Sequence, residues 1–173
     1  GCCLLMSVAI QVGLSAAQLE VLPALASLAS ADGILDSTGV PIALHWPNDL
    51  TIGTSKVGGI LTEASWSGNT LELVAIGIGV NVNAGPDDLP HLSPNAASLM
   101  QQLDRPVDRN ILAGSILLRL NEGVRALQAS DRGADEIISQ WRSRLGLEGT
   151  SVRVSAGQYL GAIGNVESIF MDG

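Results

Sequence analysis

The sequence predicts an α+β fold: a mixed, largely antiparallel sheet covered by helices on one face, followed by an incomplete small β-barrel. Three observations carry this. Strand-like runs at 40–45, 56–64 and 71–83 follow one another with no helical pattern between them, which favours antiparallel or mixed pairing. Two stretches of 3.6-residue periodicity come next, and after Gly146 the pattern returns to short strands.

Taken in order, Leu4 to Ile10 is a nearly continuous apolar run that fits a strand buried on both faces. From Pro23 the spacing Leu25, Leu28, Ala29, Leu35 reads as a core-facing helix. Pro23 suits its first turn, Gly39 lies past its end, and Gly33 weakens its interior. Val40 to His45, Lys56 to Ala64 and Leu71 to Asn83 are the three strands, separated by the turn signals Pro47-Asn48-Asp49, Gly53-Thr54-Ser55 and Ser67-Gly68-Asn69. Asp108 can cap a helix through Ile111, Leu112, Ile116, Leu120, Val124 and Leu127. Asp131 can open another through Ile137, Ile138, Trp141 and Leu145. These two helices are expected to cover one face of the sheet. Ser151 to Val154 and Tyr159 to Ile169, broken by Ala156-Gly157-Gln158, read as the start of a barrel, so the domain boundary falls between 1–146 and 147–173. The final Asp172-Gly173 is a strong hairpin signal, and the polypeptide is expected to continue beyond it.

At 173 residues and 46% apolar content, the chain suits one domain with a small appendage. A net charge of −8 without a basic cluster weighs against nucleic acid as a partner. The apolar stretch Leu4 to Val12 is too short for a bilayer, which needs about 20 such residues. No basic residue precedes it as in a signal peptide, so a cytoplasmic protein is expected. Cys2 and Cys3 are adjacent and are expected on opposite sides of a strand, which suggests neither a disulfide nor a metal site.

The chemistry-bearing residues cluster. The chain has one lysine, Lys56, beside Gly58 and Gly59 and seven residues after Asp49. It is either a solvated surface lysine in a turn or a point charge for carboxylate or phosphate oxygens. In Leu73 to Asn83, the even positions Val74, Ile76, Ile78, Val80 and Val82 form a core face. The odd positions run Leu73, Ala75, Gly77, Gly79, Asn81, Asn83. That second face is bare at its middle and ends in amides, which suits either close packing or a flat ligand lying on backbone. In Trp46-Pro47-Asn48-Asp49, Asn48 could read a base edge and Asp49 could hold a Mg²⁺ that also meets phosphate. An ordinary turn is the simpler alternative.

The ordered motifs His45-Trp46-Pro47-Asn48-Asp49-Leu50, Lys56-Val57-Gly58-Gly59-Ile60-Leu61-Thr62-Glu63 and Gly77-Ile78-Gly79-Val80-Asn81-Val82-Asn83 resemble the central catalytic domain of biotin protein ligases. The resemblance extends over the whole chain, and three motifs in order make it specific. It implies a class II synthetase-like catalytic domain followed by part of an SH3-like barrel. It also implies an enzyme that joins biotin to ATP, giving biotinyl-5′-AMP and pyrophosphate, then transfers biotin to a lysine on the carrier domain of an acyl-CoA carboxylase. Carried over, Lys56 would hold the biotin carboxylate and the α-phosphate. Gly59, Ile60, Leu61, Gly77 and Gly79 would form the biotin pocket, Asn48 and Asn81 would contact the adenylate, and Asp49 would belong to the adenylate and Mg²⁺ side.

Three features depart from the family pattern. No Gly-Arg-rich loop precedes Leu4, His45 stands where a basic residue is usual, and the barrel stops at a turn. A ligase whose sequence runs on at both ends is one reading, with exchange activity near background expected of these 173 residues alone. A non-catalytic biotin- or nucleotide-binding regulatory relative is another. Lipoate or octanoate ligases are rivals, against which the Trp-Pro-Asn-Asp and Lys-x-x-Gly-Ile-Leu pair argues. A homodimer remains open, since a sheet edge at Lys56 or Leu71 could pair with a twin.

Overall fold

A computed structural model describes residues 2–10, 14–68, 70–89, 94–130 and 132–170. Asn69, Asp131, Asp172 and Gly173, and with them the helix opening at Asp131 and the closing hairpin signal, lie outside the described residues.

Five strands form one sheet in the order β1-β5-β4-β3-β2: β1 (Leu4–Ile10), β2 (Ala43–His45), β3 (Asp49–Ile52), β4 (Ser55–Ser67) and β5 (Thr70–Val80). Every pairing between them is antiparallel. The segment between Asn48 and Ile52, too short to register as a strand in the sequence, is β3. A two-residue loop joins it to β4, with Gly53 in the left-handed region at φ 56°. The helices are α1 (Ala16–Glu20), α2 (Leu22–Thr38), α3 (Leu99–Leu103), α4 (Arg109–Ala129) and α5 (Arg132–Leu145).

Local chemistry explains the helix ends. Pro23 sits in the first turn of α2, and Gly39 closes it at φ 78° with its N–H on the Leu35 carbonyl. The Asp108 side chain accepts from the Asn110 and Ile111 N–H groups at the start of α4. Ser15 and Ser98 each make a capping box, opening the short helices α1 and α3 that periodicity over a long window cannot show.

Helix α2 is buried almost all round because it lies between the sheet and α4. Gly33 permits that contact: a Cβ there would stand 2.6 Å from the Ile116 backbone. The expectation that α4 and α5 cover the sheet is therefore corrected, since α2 is the main cover, α4 packs chiefly on α2, and α5 reaches β2. Leu35 and Ile111 are exposed, and Ile34 and Leu112 fill the core in their place.

The expectation that β1 is buried on both faces is also corrected. It is an edge strand whose residues alternate in burial, and Leu5 is 83% exposed. The cysteines precede β1, so alternation does not separate them, and their free thiols meet at 3.7 Å. After α5, β6 (Ser151–Arg153) and β7 (Ile163–Asn165) form a two-stranded antiparallel sheet, consistent with a small C-terminal unit. No helix among the described residues is long and apolar enough to cross a membrane.

Candidate functional site

The helices cover one face of the sheet, and the other carries the site. Val74, Ile76, Ile78 and Val80 on β5, and Val82 just past it, are all buried, as the alternation requires. The opposite face holds Gly77, Gly79 and Asn81, partly exposed.

A β-bulge decides which face receives the lysine. Leu50 pairs with Gly58 but Thr51 pairs with Lys56, leaving Val57 as an extra residue on β4. Under strict alternation Lys56 would share the core face with Gly58 and Ile60. The bulge instead turns Val57 into the core, at 0% exposure, and places Lys56 on the open face with Gly59.

One row then crosses all five strands: Leu5, Gly79, Gly59, Asp49 and His45 are successive partners. Its middle is bare. A Cβ on Gly79 would meet Leu5 Cδ2 at 3.6 Å, and one on Gly59 would meet Lys56 Cε at 3.7 Å. The glycines form a floor between an apolar wall and a cationic one. The groove has a volume of about 350 Å³, and Cys3, Leu5, Lys56, Gly59, Gly79 and Asn81 are among its lining residues. Gly77 continues the floor by one row, between Ser7 and Leu61, and Leu61 stands 58% exposed above it.

Ile60 does not offer its side chain to this face, because it points into the core at 3% exposure. Its backbone contributes: the Asn48 side-chain N–H donates to the Ile60 carbonyl at 2.7 Å, and the Ile60 N–H donates to the Asn48 carbonyl at 2.9 Å. Asn48 is thus fixed to the rim of β4. Asn81 is held too, its side-chain amide donating to the Ala97 carbonyl at 3.1 Å and the Lys56 carbonyl at 3.5 Å. A segment before α3 runs alongside the lysine. The Lys56 N–H donates to Asn95 O and the Ala97 N–H donates to Lys56 O, both at 2.8 Å. Asn83, grouped with Asn81 by alternation, clamps the Val107 backbone through both ends of its amide, at 2.8 and 3.0 Å.

Lys56 forms an ion pair with Asp49, both side chains partly exposed. Lys56 is the one cation lining the groove among the described residues, and Asp49 neutralises it. His45 is exposed at the end of the row. Burial, reinforced by contact with Cys2, pushes the Cys3 thiol up, so it lines the groove as a neutral thiol. Among the described residues no three His, Cys, Asp or Glu side chains converge on a metal position. Asp49 would offer Mg²⁺ a single carboxylate already paired with an ammonium, which by itself is too few oxygen ligands to hold the ion.

Sequence reasoning missed Cys3 and Leu5 as lining residues. The available signal was alternation in β1 combined with its register against β5, which puts Leu5 opposite Gly79.

A family model described as the biotin/lipoate A/B protein ligase family matches residues 1–81, the segment that carries the row, the bulge and the Lys56–Asp49 pair. Residues 1–81 carry that family's domain. Among its curated relatives, the bifunctional ligase/repressor BirA of Bacillus subtilis is 37% identical over 131 residues, covering 75% of this chain and 39% of that protein. The biotin–[acetyl-CoA-carboxylase] ligase of Mycobacterium tuberculosis is 31% identical over 135 residues, covering 74% of this chain and 47% of the relative. The chain thus spans less than half the length of these relatives. Among solved structures, biotin protein ligase from Aquifex aeolicus in complex with biotin and ATP superposes with a TM-score of 0.69 at 23% identity, covering 87% of this chain and 61% of that one. A biotin protein ligase-like protein of unknown function from Silicibacter superposes at 0.76 with 14% identity, over 98% and 72%. The antiparallel sheet with its helices is the fold that this chain shares with these two structures.

Proposed function

We propose that this chain carries the biotin-activating site of a biotin protein ligase. The observation supporting this most directly is the row Leu5-Gly79-Gly59-Asp49 with Lys56 beside it: a bare, flat floor ending at a cation. A flat bicyclic ligand can rest on the glycines with its apolar side toward Leu5 and its carboxylate at Lys56. In the first step a biotin carboxylate oxygen attacks the α-phosphorus of ATP, forming biotinyl-5′-AMP as pyrophosphate leaves. The two reactants are both anionic, and a fixed ammonium where their charges meet lowers the barrier. In the second step a lysine amine of the carrier domain of an acyl-CoA carboxylase attacks the acyl carbon and AMP departs. Lys56 is electrostatic in both steps. Asn48 and Asn81 stand at the adenylate end, where the Asn48 amide oxygen can meet the base while the Asn81 amide oxygen faces the Cys3 thiol at 4.0 Å. Mg²⁺ would add charge neutralisation on the phosphates.

A second reading, binding without adenylation, is favoured by one observation: the groove's lining cation already has a carboxylate partner. Biotin-dependent exchange of labelled pyrophosphate into ATP separates the two. It is measured on these 173 residues and on a form extended at both ends. Exchange by the extended form that vanishes in Lys56→Ala is the expected result, and no exchange by either form would sink the ligase reading.

A further inference from the structure

The groove's apolar wall is the start of β1, an edge strand with β5 as its single strand neighbour among the described residues, and something must hold its end in place. Cys3 lies ahead of the strand, yet its side chain lines the groove beside Lys56 and Asn81. The Cys3 thiol meets the Asn81 amide oxygen at 4.0 Å, and two hydrogen bonds to backbone carbonyls fix the segment, both leading to the entry of α4. The Asn83 N–H donates to the Cys2 carbonyl at 2.6 Å, while the Asn83 side chain clamps Val107. Two residues on, after the Asp108 cap, the Arg109 guanidinium reaches across and donates to the Cys3 carbonyl at 3.1 Å. Arg109 forms no ion pair among the described residues, so this hydrogen bond is the contact that orients it.

We propose that Arg109 is a positioning residue for the ligand groove: from the first turn of α4 it anchors the Cys3 backbone, and so sets the wall formed by Cys3 and Leu5 over the Gly79–Gly59 floor. This rests on the reading of that groove as the biotin site. The physical case is that β1 makes its ladder bonds on one side only, so the two residues before Leu4 rely on side-chain and loop bonds for their place. A charge-assisted bond from a rigid helix start is stronger than a neutral one and preserves the carbonyl's direction. Arg109 touches no reacting atom. Its loss should loosen the wall and weaken ligand binding while leaving the Lys56 chemistry intact.

The test compares wild type, Arg109→Gln and Arg109→Lys by calorimetric titration with biotin, hydrogen exchange read by mass spectrometry, and thermal unfolding. Arg109→Gln is expected to weaken biotin binding about tenfold, the scale of one charged hydrogen bond. It should accelerate exchange in residues 2–10 but not in β4, at unchanged melting temperature, and Arg109→Lys should recover most of the affinity. Unchanged affinity in Arg109→Gln would overturn the proposal. So would acceleration spread across the whole sheet with a lowered melting temperature, which marks a general structural role. If wild type binds no biotin, the groove reading itself fails. The exchange arm still decides whether Arg109 holds the wall, and unaltered exchange in residues 2–10 would end that claim as well.

Discussion

The Lys56 ammonium rests against the Asp49 carboxylate on the open face of the sheet, although the two residues belong to different strands and Asp49 is paired with Gly59. A cation held this way is oriented before a ligand arrives, and an anionic ligand can share it with Asp49. In the proposed site, Lys56→Ala is expected to lower biotin-dependent pyrophosphate exchange by about 10²–10³, the range for removing one preorganised electrostatic donor. Circular dichroism should be unaltered, because the side chain is partly exposed. Asp49→Asn should retain biotin binding, which titration calorimetry reads. If Lys56→Ala exchanges as fast as wild type, the electrostatic role is wrong.

Two glycines on neighbouring rows should respond differently to the same substitution. A Cβ at Gly58 would run into the Gly79 carbonyl oxygen and come within 3.2 Å of Leu50 Cδ1, so Gly58→Ala should cost about 1–3 kcal/mol in urea unfolding. A Cβ at Gly79 finds ordinary contacts of 3.6 and 3.9 Å. Gly79→Val should therefore fold with near wild-type stability while its side chain fills the groove and removes biotin binding. Equal stability losses at both positions would contradict this geometry.

Behind the sheet, Gly33 lets α2 and α4 approach closely. A Cβ would lie 2.6 to 2.8 Å from Ile116 backbone and side-chain atoms, and backbone cannot rotate away. Gly33→Ala improves helix propensity by about 1 kcal/mol, yet the clash should dominate. A net loss of about 1–3 kcal/mol is expected in denaturant titration. A stabilised variant would show that the helices can part without cost.

The fourth expectation concerns acid. The Arg119 guanidinium, through its hydrogen bond at 2.7 Å, holds the Asp36 carboxyl below the usual carboxylate range. A carboxyl depressed in the folded state stabilises it fully above its unfolded value, about pH 4. That contribution disappears as pH falls through the lower folded value. Melting temperatures of wild type and Asp36→Asn should differ slightly near pH 6 and converge as pH drops toward 2, the small size reflecting a solvent-exposed pair. A gap that widens on acidification would reverse the sign.

Much of the site was legible in the sequence because strand alternation is a local property. Gly77, Gly79 and Asn81 had to share a face once Ile76, Ile78 and Val80 were assigned to the core, and the described structure places them so. The helix ends at Gly39 and Asp108 were legible for the same reason, since a cap acts within a few residues. Ile60 and Leu61 could be seen as facing opposite ways, but which of them faced the ligand side depends on register across strands. β3 was hidden in four residues between two turns, and β1 looked doubly buried because its apolar content says nothing about edge position.

Composition, alternation and capping by themselves determined a mixed or antiparallel sheet with a bare, amide-ended face, helices with defined ends, and a single lysine close to Asp49 in sequence. Tertiary structure alone decided that the lysine faces the glycines. By alternation Lys56 belongs with Ile60 in the core, where an ammonium would lose its hydration. The extra residue Val57 lies opposite the Leu50–Thr51 step, so one bulge buries the valine and turns the charge outward beside Asp49. A bulge is a mismatch between two strands, and its position exists only once both strands are paired.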